Sequence, residues 1–212
     1  MSSYSQEFLK FAIEQNVLKF GHFTLKSGRQ SPYFFNAGLF NSGKSLAALA
    51  TFYAQAIQAS GLEYDLLFGP AYKGISLAAT TSMALFQQYQ RDIPFCFNRK
   101  EIKDHGEGGV LVGAPLKGKV LLIDDVITAG TAIRESIALI RKHGAEPVGV
   151  VVALDRQERG LRNLSAIQEL EQQENIKIIS ISNLSEMMEY LKTQGAFETL
   201  QVVKDYREHY GV

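Results

Sequence analysis

Apolar residues recur along this chain in two rhythms. Short, nearly unbroken runs at residues 64–68, 93–98, 120–123, 148–154 and 176–181 are rich in Val, Ile, Leu and Phe, the pattern of strands buried on both faces of a parallel sheet. Between and after them lie longer stretches with apolar residues on one helical face, which predict helices over 45–60, 75–88, 132–143, 167–175, 184–192 and 197–210. The first helix is predicted over 5–17, with Phe8, Phe11 or Ala12, and Ile13 on one side. Residues 20–25 and 32–37 are apolar segments flanking Lys26-Ser27-Gly28-Arg29-Gln30, which reads as a hairpin with a glycine-containing, doubly basic loop. Strands alternating with helices predict an α/β fold: an open, mainly parallel sheet flanked by helices, carrying a small N-terminal flap over about residues 1–42. No repeat, low-complexity segment or linker divides the chain, so a single domain is expected over 1–212.

Composition narrows the function. The 212 residues carry 22 basic and 22 acidic side chains, and this neutral balance, without a basic block, argues against a nucleic-acid or anionic-membrane surface. No apolar run is long enough to span a bilayer, and Glu7 and Lys10 interrupt the start, so neither a membrane anchor nor a signal peptide is expected. One cysteine, Cys96, excludes an intrachain disulfide and fits a reducing, cytoplasmic setting.

The chemistry concentrates at V-L-L-I-D-D-V-I-T-A-G-T-A, residues 120–132. A buried strand ends in Asp124 and Asp125, small and hydroxyl residues follow, and a helix begins at Ala132 and closes at Gly144. Strand, tight turn and helix N-terminus together make an anion site, yet two carboxylates there would repel a bare phosphate. A ligand with both a phosphate and a sugar diol resolves the conflict: turn N–H groups and Thr hydroxyls hold the phosphate while the acids accept the diol. Gly69-Pro70-Ala71-Tyr72-Lys73-Gly74, after the 64–68 strand, reads as a constrained loop with Lys73 as its cation. The segment 99–109 contains Arg99, Lys100, Lys103, His105 and three glycines, which predicts an exposed loop, either a solvated connector or a lid that carries cations over a polyanion. Adjacent aromatics at Phe34 and Phe35 alternate in direction, so one can face the core and one a cleft. Arg156 follows the 148–154 strand and suits a planar carboxylate, or else an ion pair with Asp155 or Glu158. Residues 38–45 fit G-x-x-x-x-G-K-[ST], but a P-loop follows a buried strand, whereas Pro32 and its neighbours read as an edge hairpin; a turn before a helix is expected there.

The 120–132 pattern resembles the phosphoribosyl pyrophosphate (PRPP) signature of the type I phosphoribosyltransferases. With Lys26 in its basic hairpin, Phe34-Phe35, Tyr72-Lys73, the 99–109 lid and Asp155-Arg156, the whole chain resembles the bacterial orotate-specific branch of that family. The resemblance implies transfer of ribose 5-phosphate from PRPP to N1 of orotate in pyrimidine synthesis, with Mg2+ held mainly by PRPP and water, assisted by Asp124 or Asp125, and by no direct protein ligand. It implies catalytic roles for Lys103, Lys100, Arg99, His105, Lys73, Asp124 and Asp125. PRPP would meet these seven together with Lys26, Tyr72, Val126, Ile127, Thr128, Ala129, Gly130, Thr131 and Ala132. Orotate would meet Lys26, Phe34, Phe35, Thr128 and Arg156. The equivalent of the 69–74 loop often holds a non-proline cis peptide, and the family forms a homodimer whose 99–109 loop reaches the neighbouring active site. Two alternatives share the signature: a phosphoribosyltransferase for another base, which has no use for a carboxylate clamp at Arg156, and a non-catalytic PRPP-sensing regulator, which should carry a nucleic-acid surface or a further domain.

Overall fold

The computed structural model describes residues 3–25, 27–103, 109–160 and 163–212, with backbone alone at 102 and 103. Helix α1 (Ser3–Glu14) leads into the antiparallel hairpin β1 (Leu18–Thr24) and β2 (Gln30–Phe35), then α2 (Gly43–Ser60), β3 (Leu66–Gly69) and α3 (Lys73–Tyr89). There follow β4 (Phe95–Lys103), β5 (Gly109–Gly113), β6 (Lys119–Ile123), α4 (Thr131–Lys142) and β7 (Glu146–Asp155). The chain continues through α5 (Ala166–Glu174), β8 (Lys177–Asn183), α6 (Leu184–Thr193) and α7 (Phe197–Tyr210). Six strands form one sheet in the order β5-β4-β3-β6-β7-β8, parallel throughout except for β4 with β5.

Strand side chains alternate, so this sheet has two apolar faces and needs a helical layer on each. Leu67, Leu121, Ile123, Val151 and Ala153 turn toward α1, α2, α3 and α6, in a cluster that also takes in Tyr33 of the hairpin. Leu66, Phe68, Val120, Leu122, Val150 and Val152 turn the other way, onto Ile133, Ile137 and Ile140 of α4 and Leu170 of α5. Each such side chain withdrawn from water contributes about 1.5–3 kcal/mol, which explains why the five apolar runs were readable as strands. Among the described residues, no helix is long and apolar enough to cross a membrane.

Residues 104–108 lie outside the described residues, but residues 99–103 and 109 of the 99–109 segment are in strands and not in the exposed loop that composition predicts. β4 runs on through Lys103, and its partner β5 pairs Cys96 with Gly113, Asn98 with Leu111 and Lys103 with Gly109. β3 pairs with β4 only as far as Gly69 and Phe97, so residues 98–103 project beyond the sheet in a two-stranded arm. The register is irregular between Asn98 and Lys103, so the charged residues there stand on a bulged strand without the apolar run of a buried one, which is why composition alone misread it.

The P-loop look-alike is a helix cap. Ser42 caps α2 by accepting from the Ser45 N–H at 3.2 Å, and the Ser45 hydroxyl in turn accepts from the Ser42 N–H at 3.1 Å. The hydroxyl that a nucleotide-bound cation would need is therefore engaged in the capping box, and Ser45 is buried.

Candidate active site

The strand order reverses between β3 and β6: the chain leaves β3 toward β4 on one side and leaves β6 toward β7 on the other. Loops leaving the carboxyl ends of such a pair diverge and open a crevice. Two helices start at its rim, α3 at Lys73 and α4 at Thr131. Whereas α2, α5 and α6 begin with side-chain caps, α3 and α4 have none, as is also true of the more distant α7. Their first N–H groups and positive dipole ends are thus available to an anion.

On the β6 side, Asp124 and Asp125 are locked by backbone bonds to β7, from Asp124 N–H to the Val151 carbonyl at 3.1 Å and from Ala153 N–H to the Asp125 carbonyl at 2.9 Å. Buried Tyr53 of α2 donates its hydroxyl to the Asp124 carbonyl at 2.8 Å. The Asp124 side chain accepts from the Asp125 N–H at 2.9 Å, and buried Asp125 meets Lys73 at 2.5 Å. Burial first, and then the neighbouring Asp125 charge, raise the Asp124 carboxyl to about 7. Residues 126–133 wrap with Asp124 around a cavity of about 260 Å³, and Gly130 turns the chain into α4 at φ +74°. A Cβ there would be strained and would press on Leu170 and Arg134.

On the β3 side, Gly69 and Gly74 touch backbone to backbone: a Cβ on Gly74 would lie 2.7 Å from the Gly69 carbonyl carbon. This contact folds the 69–74 loop tightly over the strand end. The Ala71–Tyr72 peptide is cis, as the resemblance implies, and Asn98 of β4 accepts from the Ala71 N–H at 3.0 Å. Two residues further along the same face of β4, Lys100 Nζ lies 4.9 Å from the centre of the exposed Tyr72 ring. Lys73, Tyr72 and Lys100 thus share one side of the crevice, facing the acid pair.

A second cluster sits where β7 ends. The Arg156 guanidinium stacks over the Tyr33 ring at 4.2 Å, donates to Glu158 through Nε at 2.8 Å, and donates to Ser31 through Nη2 at 3.2 Å. Of the two options open in the sequence, the ion pair with Glu158 is present. Phe34 faces outward, 39% exposed and stacked on Phe23 at 5.6 Å, while Phe35 turns inward toward Phe8. The alternation expected of adjacent strand residues is observed, with Phe34 on the open side.

The family model for the phosphoribosyl transferase domain matches residues 38–194. An orotate phosphoribosyltransferase of Thioalkalivibrio sulfidiphilus is 62% identical over 213 aligned residues, covering all of both chains, and one of Pseudomonas aeruginosa is 60% identical with the same coverage. The chain belongs to the orotate phosphoribosyltransferase family. The crystal structure of a Francisella tularensis orotate phosphoribosyltransferase superposes with a TM-score of 0.89 at 48% identity, over 97% of this chain and all of that one. This is the type I phosphoribosyltransferase fold, and the protein is an enzyme of that class.

For an orotate phosphoribosyltransferase, the structure brings together Lys73, Tyr72, Lys100, Asp124, Asp125 and the 126–132 turn, as the sequence motif implied. Thr128 lies exposed in that turn. Arg99 lies on the arm beside Lys100. Lys26 and His105 lie outside the described residues, as does the side chain of Lys103. Sequence reasoning missed Tyr53 and Asn98. Tyr53 carries a hydroxyl on the buried face of an alanine-rich helix, and such a group requires a partner, a signal that was present in the sequence. Asn98 gave a similar signal at the end of an apolar run.

Proposed function

We propose that this chain transfers the ribose 5-phosphate of PRPP to N1 of orotate, releasing pyrophosphate and orotidine 5′-monophosphate in pyrimidine synthesis. The observation that carries the reading is the Lys73–Asp125 pair bridging the two loops of the crevice beside an uncapped turn. Loss of pyrophosphate leaves oxocarbenium character at the anomeric carbon, so the site must meet a departing polyanion and a transient cation together. Lys73 and the arm cations Arg99, Lys100 and Lys103, with His105, stabilise the first. Asp124 and Asp125 hold the ribose diol and favour positive charge next to them. The N–H groups of 126–131 grip the 5′-phosphate and fix the anomeric carbon against the base. Phe34, Thr128, Lys26 and Arg156 form the orotate side, where the guanidinium suits its carboxylate.

Among the described residues, no cluster of three or more His, Cys, Asp and Glu could cage a metal. Asp125 is engaged by Lys73, which leaves Asp124 with hard oxygen chemistry suited to Mg2+ through water. When bound, Mg2+ neutralises pyrophosphate charge. A homodimer with the 99–109 loop acting across the interface is part of the proposal, and Met83 and Phe86, one turn apart on α3 and 60% and 51% exposed, supply apolar surface for one. A reducing cytoplasm suits the single cysteine, a buried thiol pushed up to about 11 by desolvation.

The test is the ultraviolet absorbance of orotate incubated with the protein, PRPP and Mg2+, with each omitted in turn and with uracil, adenine or hypoxanthine replacing orotate. Loss of the orotate signal only in the complete mixture is expected. Turnover of another base instead, or PRPP binding with no turnover, would overturn the reading.

A further inference from the structure

The loop after β7 carries a carboxylate to which the reaction above gives no task. Glu158 is 12% exposed, and one of its oxygens accepts from Arg156 Nε at 2.8 Å, lies 2.6 Å from Arg156 Nη2, and accepts from the Tyr33 hydroxyl at 3.1 Å. Its other oxygen lies 3.8 Å from Arg29 Nη1. A guanidinium held side-on through Nε and Nη2 has one edge committed. Nη2 also reaches Ser31, and Tyr206, packed edge-on against Tyr33, brings its hydroxyl beside both Arg156 and Glu158. The backbone that carries Glu158 is itself tied from outside: Glu158 bridges Gly211, Arg159 N–H donates to the Tyr210 carbonyl at 2.7 Å, and Val212 N–H donates to the Gln157 carbonyl at 3.0 Å. Gln157 sits at φ +50°, a left-handed conformation that this framework holds in place.

We propose that Glu158 is a positioning residue that presents Arg156 to the carboxylate of the incoming base, by holding the Nε and Nη2 edge of the guanidinium and so fixing the plane and direction of the group. The inference rests on the reading that Arg156 meets that carboxylate. Ordering a four-torsion side chain before the ligand arrives removes that entropic penalty from binding. A purely electrostatic role predicts the opposite outcome of substitution, because removing an anion beside the site would tighten an anionic ligand.

Calorimetric titration with orotate and, separately, with PRPP, together with thermal denaturation, decides the matter for the wild type, E158A, E158Q and R156A. E158A should weaken orotate by about tenfold or more with PRPP affinity unchanged, and E158Q, which keeps an acceptor oxygen, should stay within about threefold of wild type. Unchanged or tighter orotate binding in E158A, or equal weakening of both ligands in step with lost thermal stability, would overturn the proposal. R156A separates the two readings. If it binds orotate as well as the wild type does, the carboxylate reading falls and takes this one with it; if it alone loses orotate while E158A does not, only the role of Glu158 falls.

Discussion

Lys73 Nζ lies 2.5 Å from Asp125 Oδ2, so the cation that opens α3 is held by a buried carboxylate at the end of β6, across the point where the strand order reverses. Its amine is half in solvent, and a pyrophosphate entering the crevice would share it with Asp125. K73A leaves Asp125 buried without its cation and removes a donor from the departing charge. We expect kcat to fall by about 10²-fold or more, with weaker PRPP binding and little change in orotate affinity. An effect confined to the KM for PRPP would make Lys73 a binding group only.

Asp124 gives a prediction about pH. Its carboxyl is raised to about 7 by burial and by Asp125, so the folded chain holds that proton more tightly than the unfolded chain does. Between the unfolded value of about 4 and about 7, folding binds the extra proton; stability therefore falls as pH rises through that window and stays lower above it. D124N keeps the oxygen that accepts from the Asp125 N–H but cannot ionise. At pH 8 its Tm should exceed that of the wild type by about 2–4 °C, the equivalent of roughly 1 kcal/mol in a chain of this size, and the gain should vanish near pH 4. PRPP affinity should drop at the same time. A gain that is the same at every pH would point to a cause other than this carboxyl.

G69A tests the backbone contact beneath the 69–74 loop, the loop proposed to meet pyrophosphate. A Cβ at Gly69 would run into the Gly74 carbonyl and lie 2.9 Å from the Ala78 Cβ, and the crowded groups are backbone and helix, which cannot swing aside. Destabilisation of about 1–3 kcal/mol is expected, together with loss of PRPP binding out of proportion to orotate binding. Denaturant unfolding with calorimetry would show it; wild-type PRPP affinity would mean that the loop geometry is dispensable.

K44A and S45A address the P-loop look-alike. Lys44 is exposed, and Ser45 completes the cap of α2. S45A should lose about 1 kcal/mol of stability, K44A almost none, and both should turn over orotate like the wild type. Measurable ATP binding that either substitution abolishes would revive the nucleotide reading.

Much of the fold was legible because its strands are buried on both sides, where composition and period carry the signal. The predicted strand at 120–123 and helix at 132–143 are observed as Lys119–Ile123 and Thr131–Lys142, one residue apart at the ends that differ. β5 was missed: Gly109–Gly113 is five residues bounded by glycine, its apolar run is only the three residues Val110, Leu111 and Val112, and these are half-buried at the edge of the sheet. The strand, turn and helix start at 120–132 were legible because their residues are contiguous. Of the Arg156 cluster, the pairing with Glu158 was open in the sequence, but Ser31 and Tyr33 were not legible, since they join it only through the packing of the hairpin onto the loop after β7, 125 residues away in sequence.

The arm formed by β4 and β5 makes the site sensitive to the parity of chain length. Asn98 and Lys100 reach the same loop because they stand two apart on one strand. Unless the irregular register between Asn98 and Lys103 absorbed the change, deleting Arg99 alone would carry Lys100 to the opposite face and bring Glu101 to the position over Tyr72, exchanging a cation for an anion beside the crevice. A charge reversal would thus follow from losing a residue that is itself a cation, without any substitution at Lys100.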